Sequence, residues 1–420
     1  MIRRIKFDIV LDIVLFVYFL GLVFPFFTSI FPSSYVRIGC ALFFLSYYVL
    51  YLVLYRQRVK PWVLLTLVFF FFCCIVPYII GIPVIANRYL GISLLFLSPV
   101  IYDYYKERNR IKALIIILLV LAVFAFITFL TTYSQLLLSP YISRSIKSAG
   151  EYSQALGRRN IGGYHFIYFA TALSVPLLFM ALKMKFSFLK VFLLISYVCC
   201  VLLIIKSNYL TALITVVACS LIVFWFVSNT ALKRIAATVA IVLAVYLIFR
   251  VPSINQYIHS ALPERITSVI TLDSDFFESM YSEFVQDRLP TLTSSLDAFV
   301  EHPLLGICYS GNIVYYNGHL GVLGQHSYIL DTFALFGIIP GSLNLYIVFR
   351  PLNGFNKGKR ALTIATIFCA VGLYVFDNAT DSIAIVFGLI YPIVKDVFQN
   401  DEVSFSFGRR QELKETASAI

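Results

Sequence analysis

Charged side chains are scarce in this chain. Of its 420 residues only 13% are Asp, Glu, Lys or Arg, whereas 60% are hydrophobic, and the mean hydropathy is +0.88. A soluble globular protein carries about twice that share of charge. The composition therefore excludes a soluble protein and indicates a polytopic membrane protein, with room for about ten to twelve spans of about 20 residues.

Acidic residues are fewer than basic ones, 21 against 33, which gives a net charge of +12. Most of the Lys and Arg residues stand in short clusters between apolar runs. This pattern is typical of cytoplasmic loops that face anionic lipid, not of a nucleic-acid surface. We therefore expect the lipid bilayer to be a partner and nucleic acid not to be one.

Sequence features of a metal site, a disulfide framework and a cleaved signal peptide are also missing. All cysteines but Cys308 lie in apolar runs, and the adjacent pairs do not have zinc-ligand spacing, so we expect no metal site, no cofactor and no disulfide framework. Arg3, Arg4 and Lys6 precede the first apolar run, and no small-residue cleavage site follows it. We expect that run to be a retained anchor.

What the chain does contain is a series of long apolar runs. Their lengths predict an all-α, polytopic membrane protein that forms one integral membrane domain, 1–420. The twelve predicted spans are Phe7–Ser29, Val36–Tyr55, Pro61–Ile79, Arg88–Tyr104, Ile111–Thr131, Tyr164–Leu182, Phe186–Ile205, Asn208–Val227, Ile235–Arg250, Gln325–Phe349, Ala361–Phe376 and Asp381–Val397.

The basic clusters fall on alternate connections between these spans. The connections that carry them include 56–60, 106–112, 183–185, 233–234 and 350–360, besides both termini. The positive-inside rule then predicts that both termini are cytoplasmic. Two long hydrophilic segments, 132–163 and 251–324, become large external loops.

The second external loop carries an amphipathic segment. Leu289, Leu292, Leu296, Phe299 and Val300 recur at spacings of three and four residues, which predicts that they line one face of a helix. We expect this helix to lie on the membrane or over a cavity, a placement that is compatible with simple packing against the bundle.

Polar residues inside or beside the spans are the candidates for chemistry. Asp8 and Asp12 are one helical turn apart, and Asp331 lies near a span end; we interpret most such acids as interfacial or hydrogen-bonded. The external arginines are a sharper signal, because arginine binds phosphate in a bidentate, permanently charged way. They are Arg144, Arg158, Arg159, Arg265 and Arg288, and a surface salt bridge is the simple alternative for each. Four of the five histidines lie in or beside the second loop: His259, His302, His319 and His326.

One stretch resembles a known family. The segment DRLPTLTSSLDAFVEHPLLGICYSGN, followed by GQHSYILDTFALFGIIPG, is similar to the hallmark region of the O-antigen ligase and O-antigen polymerase superfamily. Arg288, His302-Pro303-Leu304, Gly306, His326, Tyr328, Gly337 and Gly341 stand at matching positions, over about 55 residues. GRRNIGG in the first loop is a looser likeness. One departure is that Lys206-Ser207-Asn208 occupies a turn where the family often has Ser-Arg.

The resemblance implies a metal-independent, inverting glycosyltransferase. Its donor would be a glycan on undecaprenyl diphosphate at the outer face of the bacterial cytoplasmic membrane. His326 would be the base for the acceptor hydroxyl, and Arg288 would stabilise the leaving diphosphate. Arg158, Arg159, Arg265, Lys206, His302 and Tyr328 are expected to bind the diphosphate or the glycan.

Three functions remain open from the sequence. A polymerase would join lipid-linked repeat units of an O-antigen, capsule or exopolysaccharide, with flippase and chain-length regulator proteins as partners. A ligase would transfer the finished glycan to another acceptor. A flippase would move the lipid-linked unit; such transporters typically have short external loops and functional charges inside the bundle. The long external loops with their Arg and His residues favour an enzyme, and we expect a polymerase.

Overall fold

Helices make up nearly all of the protein that the computed structural model describes. The described residues are 2–31, 33–56, 58–82, 85, 93–144, 151–227, 274–283, 286, 289–309, 315–316, 319–320, 327–350, 360–375 and 380–397. Two antiparallel strands of two residues, β1 (Tyr315–Tyr316) and β2 (His319–Leu320), are also present, with Tyr316 opposite His319.

The described helices of the N-terminal half are mostly long. They are α1 (Ile2–Val23), α2 (Pro25–Ile30), α3 (Ser33–Leu54), α4 (Pro61–Ile79), α5 (Ser93–Glu107), α6 (Ile111–Leu138), α7 (Glu151–Arg158), α8 (Tyr164–Lys183), α9 (Phe188–Lys206) and α10 (Leu210–Val227). A 3-10 turn, Ile142–Arg144, follows α6, and α4 widens into a π-helical turn at Phe71–Ile75.

The described helices of the C-terminal half are shorter. They are α11 (Ser274–Glu283), α12 (Leu289–Glu301), α13 (Tyr328–Phe336), α14 (Ile338–Phe349), α15 (Arg360–Val375), α16 (Thr380–Ile385) and α17 (Tyr391–Val397). A π-helical turn, Val386–Ile390, joins α16 and α17 without a break.

Among the described residues, five helices are long and apolar enough to cross a membrane, by length and composition: α4, α6, α8, α9 and α10. They coincide with the third, fifth, sixth, seventh and eighth predicted spans, so a helical membrane protein is confirmed. Shorter apolar helices lie at Ile38–Leu54, Ile338–Phe349 and Arg360–Tyr374, within three further predicted spans. The ninth predicted span, 235–250, lies outside the described residues, and the count of twelve stays a prediction.

Two boundaries differ from the sequence prediction. The first predicted span is interrupted at Phe24, where the backbone leaves the helical region and Pro25 begins α2; proline suits a first helical turn because it has no N–H to donate. The helix α6 continues through Thr132 to Leu138, the start of the predicted first loop. The hydroxyl of Thr132 donates to the Thr128 carbonyl at 2.6 Å, so the polar residues there do not end the helix.

The tenth predicted span is broken in its middle. Gly337 separates α13 from α14 with a φ of 76°, a left-handed conformation that glycine adopts without strain. Both flanking segments are apolar, and for this reason the sequence predicted one continuous helix from Gln325 to Phe349.

The helix α8 lies at the centre of the bundle. Most of its residues are buried, and it packs against α9, α10, α15 and α16. By contrast, α6 exposes a stripe of large apolar side chains that includes Ile116, Leu119 and Val123. An apolar stripe of this size on the outside of a bundle is suited to contact with lipid.

Candidate functional site

One end of the bundle collects the basic clusters and pairs them with acids. Lys60 lies 2.7 Å from Glu107 and 3.0 Å from Asp103, and Lys106 lies 2.5 Å from Asp396. Burial alone would lower the pKa of Lys60, but its hydrogen bonds to Glu107 and Asp103 raise it instead. Two of the basic connections predicted to be cytoplasmic, 56–60 and 106–112, therefore meet at the same end.

Asp8 and Asp12 belong to this charged end. Arg110 Nη2 lies 2.6 Å from Asp12 Oδ2, and the Tyr47 hydroxyl donates to Asp8 Oδ1 at 2.9 Å. The Tyr105 hydroxyl donates to Asp12 Oδ1 at 2.5 Å. These contacts agree with the interpretation of the two acids as hydrogen-bonded residues, and they join α1 to the turn between α5 and α6.

The opposite end holds a contact between the first loop and the turn that follows α9. The Arg144 Nη2 atom donates to the Asn208 carbonyl at 2.5 Å across 64 residues of sequence. Its guanidinium carbon lies 4.9 Å from the centre of the Tyr209 ring. Lys206, half-buried, ends α9 in the same turn. We call Ser143, Arg144, Lys206, Asn208 and Tyr209 the Arg144 cluster.

Several polar atoms of the Arg144 cluster are buried without a hydrogen-bond partner among the described residues. They are Arg144 Nε, Ser143 Oγ, and both Nδ2 and Oδ1 of Asn208, whose side chain is 0% exposed. An unsatisfied buried polar group costs about 1–3 kcal/mol, and most such groups find a partner. A polar ligand or water that binds here would satisfy them, and the guanidinium favours an anion.

Contacts between aromatic rings hold this cluster against the start of α8. The Tyr209 ring lies 5.7 Å from Tyr168 and 6.0 Å from Tyr164, and the last two rings are 4.7 Å apart. Tyr168 and Tyr209 are buried, whereas Tyr164 is half-buried. The rings hold the turn after α9 against the central helix, which fixes the carbonyl that Arg144 contacts.

Hydrogen bonds to α6 hold the segment that carries Arg158 and Arg159. Asn160 is buried at a φ of 55°, and its Nδ2 donates to Thr128 Oγ1 at 2.9 Å. Its carbonyl accepts a hydrogen bond from Thr131 Oγ1 at 2.6 Å. Both arginines are exposed, so this anchor places two cations on the surface above the end of α6.

The helix α12 packs along α13 in the same direction. Ser295 Oγ donates to Asp331 Oδ1 at 2.9 Å, and the rings of Phe299 and Phe333 are 5.4 Å apart. The predicted helix is present, and three of its predicted apolar residues, Leu289, Leu296 and Val300, are 41%, 47% and 67% exposed. Ser295 and the buried Ala298 turn a different face toward α13, and the placement of the apolar face on the membrane or over a cavity stays a prediction.

The turn after α12 is inserted at the break between α13 and α14. The amides of Ile307 and Cys308 donate to the carbonyls of Ala334 and Leu335, each at 3.0 Å, while the Ile338 amide donates to Pro303 at 2.7 Å. These bonds satisfy backbone groups that the break at Gly337 leaves without helical partners. The His302-Pro303-Leu304 motif therefore has a structural role at this break.

The helix α15 connects this region to the Arg144 cluster. A β-carbon built on Gly372 would lie 3.0 Å from Thr215 Oγ1 near the start of α10, just after Asn208 and Tyr209. Tyr374, one half-turn later, has its ring 5.8 Å from that of Tyr328 at the start of α13. The head of α13 and the Arg144 cluster thus lie at the same end of neighbouring helices.

Some of the predicted site residues lie outside the part of the chain that the structure describes, and others lie within it. Arg288, Arg265 and His326 lie outside the described residues, as does His259. His302 is half-buried at the end of α12. Tyr328 is 1% exposed, and its hydroxyl donates to Asn344 Oδ1 at 3.3 Å. This places Tyr328 at a helix interface, and a role in stacking on a sugar stays a prediction.

Sequence reasoning did not include Arg144 and Asn208 among the site residues. The sequence marks Arg144 only as one of five external arginines, and it gives no sign that the turn at Asn208 lies beside it. The structure brings the two together through a hydrogen bond from Arg144 to the Asn208 carbonyl. That contact joins residues 64 apart, and no local pattern reports such a pair.

Among the described residues no group of three or more His, Cys, Asp or Glu side chains is placed to hold a metal ion. No model of a known protein family matches this sequence, and no curated protein matches it.

Proposed function

We propose that the protein is a polysaccharide polymerase of the bacterial cytoplasmic membrane. It joins undecaprenyl-diphosphate-linked repeat units of an O-antigen, capsule or exopolysaccharide at the outer face of that membrane. The observation that carries the proposal is the Arg144 cluster: a buried, cationic and incompletely hydrogen-bonded site at the end of the bundle opposite the ion-paired basic clusters.

The orientation follows from the two ends. Anionic lipid and the positive-inside rule favour placing the end that holds Lys60, Lys106 and Arg110 in the cytoplasm. The Arg144 cluster then faces outside, where a lipid-linked glycan is available after it has been flipped across. Both termini are cytoplasmic in this arrangement, and a flippase and a chain-length regulator are the expected partner proteins.

The reaction is a displacement at the anomeric carbon of the donor. The acceptor hydroxyl oxygen forms a bond to that carbon, the bond to the diphosphate oxygen breaks, and undecaprenyl diphosphate leaves. The acceptor proton passes to His326, which immediately precedes the helix-capping Ser327 of α13. Negative charge grows on the diphosphate, and fixed cations stabilise it without a metal.

Arg144 and Lys206, both in the Arg144 cluster, are the cations that we assign to the diphosphate. Arg288, Arg158 and Arg159 are the further candidates. A guanidinium offers two parallel donors to phosphate oxygens. In the Arg144 cluster one donor is held by the Asn208 carbonyl, while Nε has no partner among the described residues. The fixed donor aims the group, and the unsatisfied one is available to a ligand.

The experiment that tests this function uses the purified full chain and lipid-linked repeat units in the presence of a chelator. We expect longer glycans on the lipid and release of undecaprenyl diphosphate. Loss of the reaction on chelation would show that a metal is required. Lengthening only after a separate acceptor is added would show a ligase, and movement of the lipid across a vesicle without lengthening would show a flippase.

A further inference from the structure

Two cavities meet at Tyr346 at the charged end of the bundle. The first is an apolar groove of about 430 Å³ between α4 and α14, lined by Leu65, Ile338, Ile339, Ser342, Leu343 and Tyr346. The second is a charged pocket of about 330 Å³ between α5, α14 and α17. Its lining includes Asp103, Lys106, Tyr346, Arg350, Lys395 and Asp396. A ligand that fills both cavities must have an apolar part and a charged part.

The cations of the charged pocket outnumber its acids. Arg350, Lys106 and Lys395 line it, together with Asp103 and Asp396. Lys106 is bonded to Asp396 at 2.5 Å. The other acid, Asp103, is shared, since its Oδ2 atom lies 3.0 Å from Lys60, outside the pocket lining.

Within the part of the chain that the structure describes, Arg350 therefore has only a distant acid partner, Asp103. Its Nη2 atom lies 3.8 Å from Asp103, beyond hydrogen-bond length, and its guanidinium carbon lies 3.7 Å from the centre of the Trp62 ring. Burial lowers the pKa of Arg350, although Asp103 and Tyr346 act to raise it. Tyr346 takes a hydrogen bond from this guanidinium, and the remaining edge donors of a guanidinium over an indole ring are suited to a phosphate group.

We propose that this pair of cavities binds an anionic glycerophospholipid from the cytoplasmic leaflet. The phosphate lies on Arg350 and is flanked by Lys106 and Lys395, and an acyl chain lies in the groove along Leu65, Ile339 and Leu343. Basic pockets between helices at the cytoplasmic surface are suited to such headgroups. The site is separate from the Arg144 cluster, which lies at the other end of the bundle, and the inference does not depend on the polymerase function.

A lipid in this position would hold four helices together. The groove joins α4 to α14, and the charged pocket joins α14 to α5 and α17. A ligand that binds only the folded protein stabilises it in proportion to the logarithm of its concentration. Bound lipid should therefore raise the unfolding temperature of the purified protein.

The test compares delipidated protein in detergent with and without added phosphatidylglycerol. Native mass spectrometry counts bound lipid, and thermal unfolding measures the stabilisation. We expect one tightly bound phosphatidylglycerol, with Arg350→Gln lowering its affinity about tenfold or more because a charge-assisted contact is lost. Ser342→Phe, which fills the groove without changing charge, should lower the affinity as well. Arg360→Gln, an exposed cation at the same end, is the matched control and should bind as the parent does.

Three results would overturn the proposal. Unchanged phosphatidylglycerol affinity in both Arg350→Gln and Ser342→Phe would remove the ligand from these cavities. Equal binding of phosphatidylcholine and phosphatidylglycerol would remove the selectivity for an anionic headgroup. Equal stabilisation by glycerol phosphate, which has no acyl chain, together with normal binding in Ser342→Phe, would show an anion pocket and not a lipid site.

Discussion

Arg144 shows how a single residue connects two parts of the chain. It is held at once by a carbonyl of the turn after α9 and by the face of the Tyr209 ring. Each contact orients the guanidinium, and neither neutralises it. A positioned cation of this kind stabilises a leaving diphosphate better than a mobile one, because it needs no reorganisation during the reaction.

Replacing Arg144 should therefore show how much of the polymerisation rate depends on its positive charge and how much on the paired hydrogen bonds of its guanidinium. Arg144→Ala should lower the polymerisation rate about 10²-fold or more, comparable to the loss of one fixed donor at a developing anion. Arg144→Lys should recover only part of that rate, because an ammonium cannot make the paired contact. The rate is measured from glycan length against time with purified protein.

The matched control is Lys185→Ala, an exposed cation at the opposite end of α8, which should keep the parental rate. A parental rate in Arg144→Ala would place the diphosphate elsewhere, with Arg288 as the next candidate.

His326 gives a pH-dependent prediction. As the base it must be neutral, so the rate should fall toward acid pH, where an imidazole becomes protonated. His326→Gln keeps a hydrogen-bonding side chain without a basic nitrogen, and it should lower turnover about 10²-fold. His259→Gln in the second loop, which precedes His326, is the control and should keep both the rate and the pH profile. Normal turnover in His326→Gln would transfer the base role to an acid such as Asp287 or Glu301.

The sequence identified the types of residue needed for this site but not which of them meet. Arginine in an external loop is recognisable because it opposes the positive-inside trend. The partner of Arg144 is a backbone carbonyl, that of Asn208, and any residue could supply a carbonyl. Contacts of this kind depend on how helices pack, and hydropathy contains no information about them.

At the scale of elements, the turn after α12 packs against the break between α13 and α14. The contact is reciprocal, because a glycine on each side lies against the backbone of the other. Gly306 and Gly337 both adopt positive φ, at 68° and 76°. A β-carbon on Gly337 would lie 2.3 Å from the Leu304 carbonyl oxygen, and one on Gly306 would lie 2.3 Å from the Leu335 backbone. Only glycine allows the two backbones to approach this closely.

Gly337→Ala should therefore destabilise the protein by about 1–3 kcal/mol from backbone strain alone, with a further loss if the contact opens. The measurement is thermal unfolding of the purified variant in detergent. Gly306→Ala should act similarly, and the double variant should lose less than the sum because both changes disrupt one contact.

The control for these variants is Gly39→Ala. Gly39 lies within α3, and a β-carbon there would have no neighbour within 4 Å. Alanine is the better helix former by about 1 kcal/mol, so this variant should be as stable as the parent or more so. Equal unfolding temperatures for Gly337→Ala and Gly39→Ala would contradict the reciprocal contact.

Long apolar runs made the helices α4, α6, α8, α9 and α10 predictable, since about 20 apolar residues are needed to cross the bilayer. The same criterion could not reveal the break at Gly337. A single glycine within an apolar run does not interrupt the hydropathy, and it is the docked turn after α12 that stabilises the open backbone groups. The face of α12 that packs against α13 could not be predicted for a similar reason, because a polar contact with Asp331 determines it.

At the scale of the whole molecule, the charges separate along the bundle. Connections far apart in the sequence come together at one end through pairs such as Arg110 with Asp12 and Lys106 with Asp396. The Arg144 cluster lies beyond the far end of α6, a helix of 28 residues that is about 42 Å long. This length exceeds the hydrocarbon thickness of about 30 Å, so the two ends can face opposite aqueous phases.

Cysteine labelling measures this orientation directly. In a chain without its native cysteines, Ser274→Cys should react with a membrane-impermeant maleimide added to intact cells, because Ser274 is exposed at the start of α11 in the second loop. Lys185→Cys, exposed in the turn between α8 and α9, should react only after permeabilisation. In a second version of the chain that keeps Cys308 as its one cysteine, no labelling is expected in either condition, because Cys308 is 1% exposed and burial raises the pKa of its thiol to about 12. Labelling of Lys185→Cys in intact cells would show that the orientation is the opposite of the one we assign. The Arg144 cluster would then face the cytoplasm.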